Sequence, residues 1–338
     1  MQVQENFSLK PYNTFSIDAK ARYFLRFDSV SQLQEAIISN FKPSTLNLVL
    51  GGGSNILFTK DFDGIVLKNE IEGIEKIKED ESFIYVRCGA GEKWHQVVLH
   101  CIENNWAGIE NLSLIPGCVG ASPMQNIGAY GVEIKDVFHE LTAFHLQEYS
   151  NYTFKLKDCE FGYRESVFKR KYKDQFVILD VTYKLSKNPT FNTSYGAIEE
   201  ELTKMGVQEL SIKAISQAVI NIRSSKLPDP KEIGNAGSFF KNPSVAKEKF
   251  VQLKQEFKKL VGYENADDTV KLAAGWLIEQ CGWKGFREGD AGVHAKQTLV
   301  LVNYGQAEGE EIYALSEQIV QSVFEKFGVM LEREVNII

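Results

Sequence analysis

The sequence of 338 residues has no apolar run near the roughly 18 residues that a membrane span needs. Its first fifteen residues mix Gln, Glu, Asn and Lys with single apolar residues, which predicts no secretory signal, no membrane partner and a cytoplasmic location. Basic residues are not in excess, because 38 Lys and Arg stand against 45 Asp and Glu, giving a net charge of −7. This balance argues against nucleic acid as the main partner.

Cysteine and histidine are scarce, with five of each. The cysteines are scattered and never spaced as C-x-x-C, and no two histidines form an H-x-x-x-H pair, so we expect reduced thiols and no metal site. His95 and His100 are expected at the edges of a helix, in packing or solvated positions. The content of 43% hydrophobic and 25% charged residues is typical of a globular protein and excludes a disordered chain.

Hydrophobic periodicity predicts a mixture of helices and strands. The predicted helices cover residues 31–40, 92–104, 211–225, 245–260, 269–281 and 308–327. The predicted strands cover residues 46–50, 56–58, 65–67, 83–88, 137–146, 151–154, 175–185, 298–303 and 329–337, with those between 137 and 185 in an antiparallel sheet. Domain boundaries are predicted in the charged segment 70–81 and after residue 225, where two prolines in 226–230 forbid a helix.

A buried strand delivers three consecutive glycines in the segment LVLGGGSNIL, residues 48–57. Glycine lets a ligand approach the backbone, and successive N–H groups in such a turn can form a concave nest for a pyrophosphate. The segment is not G-x-G-x-x-G and no long helix follows it, so a Rossmann fold is a poor interpretation. A tight turn between two strands is the structural alternative.

A second glycine-rich segment, SLIPGCVGASPMQNIGAYG, covers residues 113–131. Its small uncharged side chains suit a backbone that lies against a flat, extended ligand. Pro116 and Gly117 can open a helical turn whose free N–H groups meet phosphate. Two such loops predict one dinucleotide-like cofactor between them, whereas a packed Gly-Ala loop is the alternative.

Three further motifs carry charged or hydroxyl side chains. Arg164 lies among aromatic residues, where an arginine either clamps the structure or grips a carboxylate. Ser238 follows a Gly-Asn-Ala-Gly turn with no histidine nearby in sequence, so it is either a turn cap or a proton donor. Strand alternation puts Glu332 and Glu334 on one face near the C-terminus, where glutamates are usually just solvated.

Taken together and in this order, the motifs resemble the UDP-N-acetylenolpyruvoylglucosamine reductases, or UDP-N-acetylmuramate dehydrogenases, the flavoenzymes of bacterial peptidoglycan synthesis. The resemblance runs from Asn13-Thr14-Phe15 to the last strand, and FNTSYG at 191–196 resembles the loop of the form with an extra tyrosine segment. It implies an α+β fold: a vanillyl-alcohol-oxidase-like (PCMH-type) FAD-binding domain of two α+β subdomains, plus a C-terminal α+β substrate-binding domain. The implied division is residues 1–70 with the strand 329–338, then 71–225, then 226–328.

The family's motifs imply that Arg164, Ser238 and Glu334 form the catalytic set, with Glu334 preferred to Glu332 because it directly precedes the apolar end of the strand. The residues implied to bind FAD are Gly51, Gly52, Gly53, Ser54, Asn55, Ile115, Pro116, Gly117, Gly120, Ala121, Ser122, Gln125, Asn126, Gly128 and Arg223. The residues implied to bind substrate are Tyr163, Tyr195, Lys226, Asn242 and Gln297.

The implied activity is the reduction of a UDP-sugar enolpyruvyl ether by NADPH through FAD, in a monomer whose partners are small molecules. The FAD is expected to be non-covalent, since residues 51–55 contain no His or Cys. Arg164 would stabilise the enolate-like charge, Ser238 would protonate the neighbouring carbon, and Glu334 would share a proton with the carboxylate or orient Arg164. Two alternatives stay open: another FAD oxidoreductase of this fold that acts on an alcohol, and a catalytically silent sugar-nucleotide binding protein.

Overall fold

A computed structural model of the chain describes residues 3–40 and 47–338. The chain forms two compact units. Unit 1 comprises Met1–Phe7, Ala21–Gly53 and Asp63–Ser225, and unit 2 comprises Ser8–Lys20, Ser54–Phe62 and Lys226–Ile338. The helices are α1 (Val30–Asn40), α2 (Trp94–Glu103), α3 (Gly196–Lys204), α4 (Ile212–Lys226), α5 (Lys247–Glu256), α6 (Ala274–Gln280) and α7 (Gly309–Phe327).

The strands of the described residues range from two to eleven residues in length. They are β1 (Gln4–Ser8), β2 (Lys20–Phe27), β3 (Asn47–Leu50), β4 (Ile56–Leu57), β5 (Phe62–Asn69), β6 (Ile74–Glu79), β7 (Phe83–Gly89), β8 (Gly128–Ala129), β9 (Val132–Glu133), β10 (Phe138–His145), β11 (Ser150–Lys155), β12 (Phe176–Ser186), β13 (Gly234–Ser238), β14 (Ser244–Ala246), β15 (Gly262–Glu264), β16 (Thr269–Leu272), β17 (Arg287–Glu288), β18 (Ala291–Val293), β19 (Val300–Asn303) and β20 (Asn336–Ile337).

Unit 1 is built around two sheets, of order β1-β2-β5-β3 and β11-β10-β12-β7-β6. In the first, β3 runs parallel to β5; in the second, all neighbours are antiparallel. Helix α2 packs against the second sheet through Trp94, Val97, Val98 and Cys101, all of which are buried. The helical spacing of these apolar residues was the signal for the helix at 92–104, and the structure confirms it.

Unit 2 contains a four-stranded sheet of order β13-β19-β18-β17 and a three-stranded sheet of order β14-β16-β15. Helix α7 buries Ile312, Leu315, Ile319 and Val323 at intervals of three and four residues. The C-terminal strand β20 pairs in parallel with β4, and the Thr59 N–H donates to the carbonyl of Ile338 at 2.7 Å. This pairing places the segment 54–62 in unit 2.

Two local predictions are wrong, and a segment that was given only as a domain boundary holds a strand. The helix predicted at 269–281 is strand β16 followed by the short helix α6, because the β-branched Val270 pairs with both β14 and β15 and the β-branched Thr269 pairs with β14. The charged segment 70–81 holds strand β6, which is an edge strand of the larger sheet. The predicted strand 329–337 is reduced to β20 and one bridge between Phe240 and Arg333. The division of the chain into two FAD-binding subdomains and a substrate domain stays a prediction.

Candidate active-site residues in each unit

Both glycine-rich loops of unit 1 come together at Gly52 and Gly117. Strand β3 ends at the buried Leu50, and the turn that follows contains Gly53 at φ +62°. A Cβ placed on Gly52 would lie 2.8 Å from the Cα of Gly117, so the two loops pack backbone against backbone. Gly52 is exposed and Gly117 is half-buried, which leaves bare backbone open to a ligand at this point.

Cys118 lies against the first loop, a contact that sequence spacing did not indicate. A Cβ on Gly51 would be 3.3 Å from the Cβ of Cys118. Burial raises the pKa of the Cys118 thiol, so the reactive thiolate is disfavoured. All five cysteines are free thiols in the structure.

The second loop has an inward and an outward side. Ser122 is buried and its hydroxyl bonds the Tyr183 hydroxyl at 2.8 Å, while a Cβ on Gly120 would lie 2.7 Å from the Cβ of Ala90. These predicted cofactor residues therefore also serve close packing of the loop. The residues on its outward side, exposed or half-buried, are Ile115, Pro116, Gly117, Ala121 and Gln125.

Asn126 connects the second loop to the segment that carries Arg164. It is buried at φ +45°, and its amide donates to Glu133 Oε2 at 2.9 Å and to the Gly162 carbonyl at 3.0 Å. Its side-chain oxygen accepts from the Lys135 N–H at 3.1 Å. Both donors of the amide are thus used inside the protein, and its role here is to fix the loop.

Arg164 has a strained backbone and a fixed side chain. Its φ is +55°, a region that an arginine adopts rarely and that is often found at functional sites. Its Nη2 donates to the Gly128 carbonyl at 2.7 Å, and its guanidinium lies 5.4 Å from the centre of the Tyr163 ring. A Cβ on Gly128 would lie 3.2 Å from Arg164 Nη1, so the glycine leaves room for the guanidinium.

Arg223 is a buried cation with an unused donor. Its Nε is buried and has no hydrogen-bond partner. Burial lowers the pKa of Arg223, the Tyr130 hydroxyl opposes that shift, and the like charge of Arg164 adds to it. The Tyr130 ring in turn packs edge-on against Tyr195 at 5.4 Å. This group of side chains offers positive charge and a spare N–H to an anionic or acceptor-rich ligand.

Tyr130 and His95 were not predicted as site residues. His95 was expected only at a helix edge, but its Nδ1 accepts a hydrogen bond from the Leu114 N–H at 2.9 Å. The Arg223 guanidinium lowers the pKa of His95, after the larger effect of burial. Tyr130 lies inside the second glycine-rich motif, and its φ is +50°. The presence of a bulky residue in that motif was the sequence signal that could have identified it.

In unit 2, the segments of Ser238 and Glu334 run side by side. Ser238 ends β13 opposite Val300 of β19. The Glu334 N–H donates to the carbonyl of Phe239 at 2.8 Å, and the Lys241 N–H donates to the carbonyl of Glu332 at the same distance. This antiparallel pairing brings two of the predicted catalytic residues to adjoining segments although 96 positions of sequence separate them.

Asn55, which belongs to unit 2, also contacts this segment. Its side-chain amide donates to the carbonyl of Glu334 at 3.2 Å, and its own carbonyl accepts from the Asn336 side chain at 2.9 Å. Asn55 therefore fixes the backbone on which Glu334 stands.

Glu332 and Glu334 differ in their surroundings. The Glu332 carboxylate forms an ion pair with the ammonium of Lys241, which is 7% exposed. The side chain of Glu332 is 71% exposed, whereas Glu334 is half-buried. Because Glu332 pairs with a buried lysine, this ion pair is sufficient to give Glu332 a structural role.

Asn242 and Gln297 both lie beside the start of α6. The Asn242 side-chain oxygen accepts from the Ala274 N–H at 2.9 Å, and a Cβ on Gly275 would lie 3.4 Å from Gln297 Oε1. The structure thus places these two predicted substrate residues next to the same end of one helix. Lys226 is exposed at the end of α4, and Tyr195 is 54% exposed just before α3.

Residues 3–40 and 47–338 contain neither a cluster of metal-binding side chains nor a helix that could span a membrane. No group of three or more His, Cys, Asp or Glu side chains in these ranges is arranged to hold a metal ion. Within the same ranges, no helix combines the length and apolar character required to cross a membrane.

The chain is similar to known proteins along its whole length. Residues 229–338 match the family described as UDP-N-acetylenolpyruvoylglucosamine reductase, C-terminal domain, and residues 21–146 match the family described as FAD binding domain. The UDP-N-acetylenolpyruvoylglucosamine reductase of Flavobacterium johnsoniae is 52% identical over 339 residues, and that of Amoebophilus asiaticus is 52% identical over 338 residues; in both cases the match covers 100% of each chain.

A solved structure shares the fold. The UDP-N-acetylenolpyruvylglucosamine reductase of Thermus caldophilus has a TM-score of 0.70 at 23% identity, covering 100% of this chain and 99% of that one. The predicted fold class is confirmed: an α+β, vanillyl-alcohol-oxidase-like FAD-binding domain with a C-terminal α+β domain. With half of its residues identical to full-length relatives, the chain belongs to the UDP-N-acetylenolpyruvoylglucosamine reductase family.

Proposed function

We propose that this protein reduces UDP-N-acetylglucosamine enolpyruvate to UDP-N-acetylmuramate with NADPH, in the synthesis of peptidoglycan precursors. The observation that carries the proposal is the pairing of residues 239–241 with 332–334, which places the backbone segments of Ser238 and Glu334 side by side in a member of this family. The discriminating assay is loss of nicotinamide absorbance that starts only when the enolpyruvyl sugar nucleotide is added. Turnover with a simple alcohol instead would favour a different oxidoreductase of the same fold.

The residues of unit 1 fit a bound FAD. Open glycine backbone at Gly52 and Gly117 suits a pyrophosphate, and the unpartnered Nε of Arg223 suits an acceptor group of the cofactor. When bound, FAD supplies the hydride that passes from NADPH to the terminal vinyl carbon of the substrate. The other proposed FAD contacts come from the outward side of the second loop and from Ser54 and Asn55.

The side chains of the protein carry out the other steps of the proposed reaction. The Arg164 guanidinium stabilises the negative charge that develops on the substrate carboxylate. Ser238 gives its proton to the carbon next to the carboxylate, a reasonable pairing because an enolate carbon is a strong base. Glu334 shares a proton with the carboxylate. Tyr163, Tyr195, Lys226, Asn242 and Gln297 bind the sugar nucleotide.

We expect FAD to be released completely by acid precipitation. Residues 51–55 contain no His or Cys, and burial keeps the neighbouring Cys118 as a protonated thiol. The measurement is flavin absorbance in the supernatant and the pellet. Yellow colour retained in the pellet of the wild-type protein, and lost from a Cys118→Ala variant, would contradict non-covalent binding.

Glu334→Gln and Glu332→Gln form a matched pair. We expect Glu334→Gln to lower kcat by about 10²-fold, the scale for one group that stabilises developing charge. Glu332→Gln should keep kcat within about twofold and lower Tm slightly, because only the partner of Lys241 is weakened. Steady-state kinetics and thermal melts check both. The reverse pattern of kcat would move the catalytic role to Glu332.

A further inference from the structure

The backbone is strained where the chain enters the second glycine-rich loop. Leu114 has φ +58°, and it directly precedes Ile115, Pro116 and Gly117. A bulky residue keeps such a conformation only where its surroundings enforce it. Three residues further along the chain, Gly117 lies against Gly52.

The first turn of α2 holds this segment from one side. The Leu114 N–H donates to His95 Nδ1 at 2.9 Å. Trp94, the neighbour of His95 in sequence, makes two further hydrogen bonds to this segment. Its indole N–H donates to the carbonyl of Leu112 at 2.9 Å, and its backbone N–H donates to the carbonyl of Gly117 at 3.0 Å. Of these contacts, the one from His95 is made at the strained residue itself.

The contact requires a neutral imidazole. Nδ1 can accept from Leu114 only if the ring hydrogen is on Nε2. Burial and the Arg223 guanidinium both lower the pKa of His95, and Arg223 itself faces the Tyr130 hydroxyl and the charge of Arg164. Protonation of His95 would place a hydrogen on Nδ1 facing the Leu114 N–H. It would also add a positive charge close to that of Arg223. It would therefore release the anchored segment.

We propose that His95 is a positioning residue of the cofactor site, whose neutral ring holds Leu114 in the conformation that lets the second loop receive FAD. The proposal rests on the proposed function in that it takes FAD as the ligand of this loop. His95 touches neither the substrate nor the reacting atoms in this role. FAD affinity is then full above pH about 6.5, the ordinary pKa of histidine, and is lost as the pH falls through the lower pKa of His95.

The experiment titrates FAD into apoprotein and follows quenching of flavin fluorescence between pH about 5 and 8. We expect His95→Leu to raise the Kd about tenfold at pH about 7.5, the scale of one hydrogen bond at a buried site, and to show no further loss of affinity toward acid. His95→Asn keeps an acceptor near the place of Nδ1 but does not titrate, so it should bind as the wild type does at pH about 7.5 and stay flat toward acid. His100→Leu, on the same helix and packed against Trp106, is the control that should retain the wild-type profile.

The pH profile of FAD affinity distinguishes a positioning role of His95 from a general loss of stability. If His95 were merely structural, His95→Asn would not bind FAD tightly with an affinity that is independent of pH. Should His95→Leu fail to fold, the comparison of His95→Asn with the wild type decides alone. Equal acid slopes in those two proteins, or wild-type affinity in a folded His95→Leu, would overturn the proposal. If the wild type binds no FAD at any pH, the proposed function itself fails and this inference with it; if it binds FAD and the His95 variants do not differ from it, only the inference fails.

Discussion

Replacing Ser238 with alanine should separate the two half-reactions of the proposed enzyme. Ser238 is needed only when the substrate carbon takes its proton, so reduction of the bound flavin by NADPH should continue near its normal rate. Reoxidation by the enolpyruvyl sugar nucleotide should slow by roughly 10²–10⁴-fold, which is the usual worth of a placed general acid. Stopped-flow absorbance of the flavin measures each half-reaction alone.

Two further serine variants make this result specific. Ser238→Cys should recover part of the lost rate, because a thiol can also donate a proton. Ser244→Ala, in the same unit but exposed on β14, should leave both half-reactions unchanged. Equal slowing of both halves in Ser238→Ala would mean that the serine shapes the site, and no slowing would return it to the role of a turn residue at the end of β13.

Sequence patterns correctly predicted helices and strands whose conformation follows from the spacing of apolar residues within the element. The apolar spacing of α2 and α7 and the alternation in β10 and β12 were sufficient for their placement. The segment 269–281 failed for a physical reason: Val270, Ala273, Ala274 and Leu277 have helical spacing, but two neighbouring strands use the backbone of 269–272. Pairing with distant strands overrides local preference, and a single sequence does not display it.

The site residues likewise depend on contacts between distant segments, which a single sequence does not display. Glycine content indicated two ligand loops, but the contact of Gly52 with Gly117 joins positions 65 residues apart and needed the fold. The residue types alone did not distinguish Glu332 from Glu334; the structure adds that Glu332 forms an ion pair with Lys241, and the choice of Glu334 as the catalytic residue stays a prediction. The use of His95 as an acceptor for a strained backbone likewise has no signature in spacing, because it depends on the turn that Leu114 makes.

Gly52→Val should abolish FAD binding before it affects folding. The added Cβ would lie 2.8 Å from the Cα of Gly117 and 3.3 Å from its carbonyl carbon, and backbone atoms cannot move aside as a flexible side chain can. The two loops must therefore separate, which removes the open backbone proposed to receive the pyrophosphate. Since Gly52 is exposed and φ is positive at Gly53 rather than at Gly52, the core of unit 1 should tolerate the change.

The measurement is the ratio of flavin to protein in the purified variant, together with a thermal melt of the apoprotein. We expect almost no FAD in Gly52→Val and an apoprotein Tm within a few degrees of that of the wild type, since surface substitutions away from the core usually change stability by less than about 1 kcal/mol. Gly196→Val is the matched control, because a Cβ there meets nothing within 4 Å, and it should retain full flavin content. A folded Gly52→Val protein with full FAD content would show that the cofactor does not depend on this contact, and the anion-nest interpretation of the first loop would have to be abandoned.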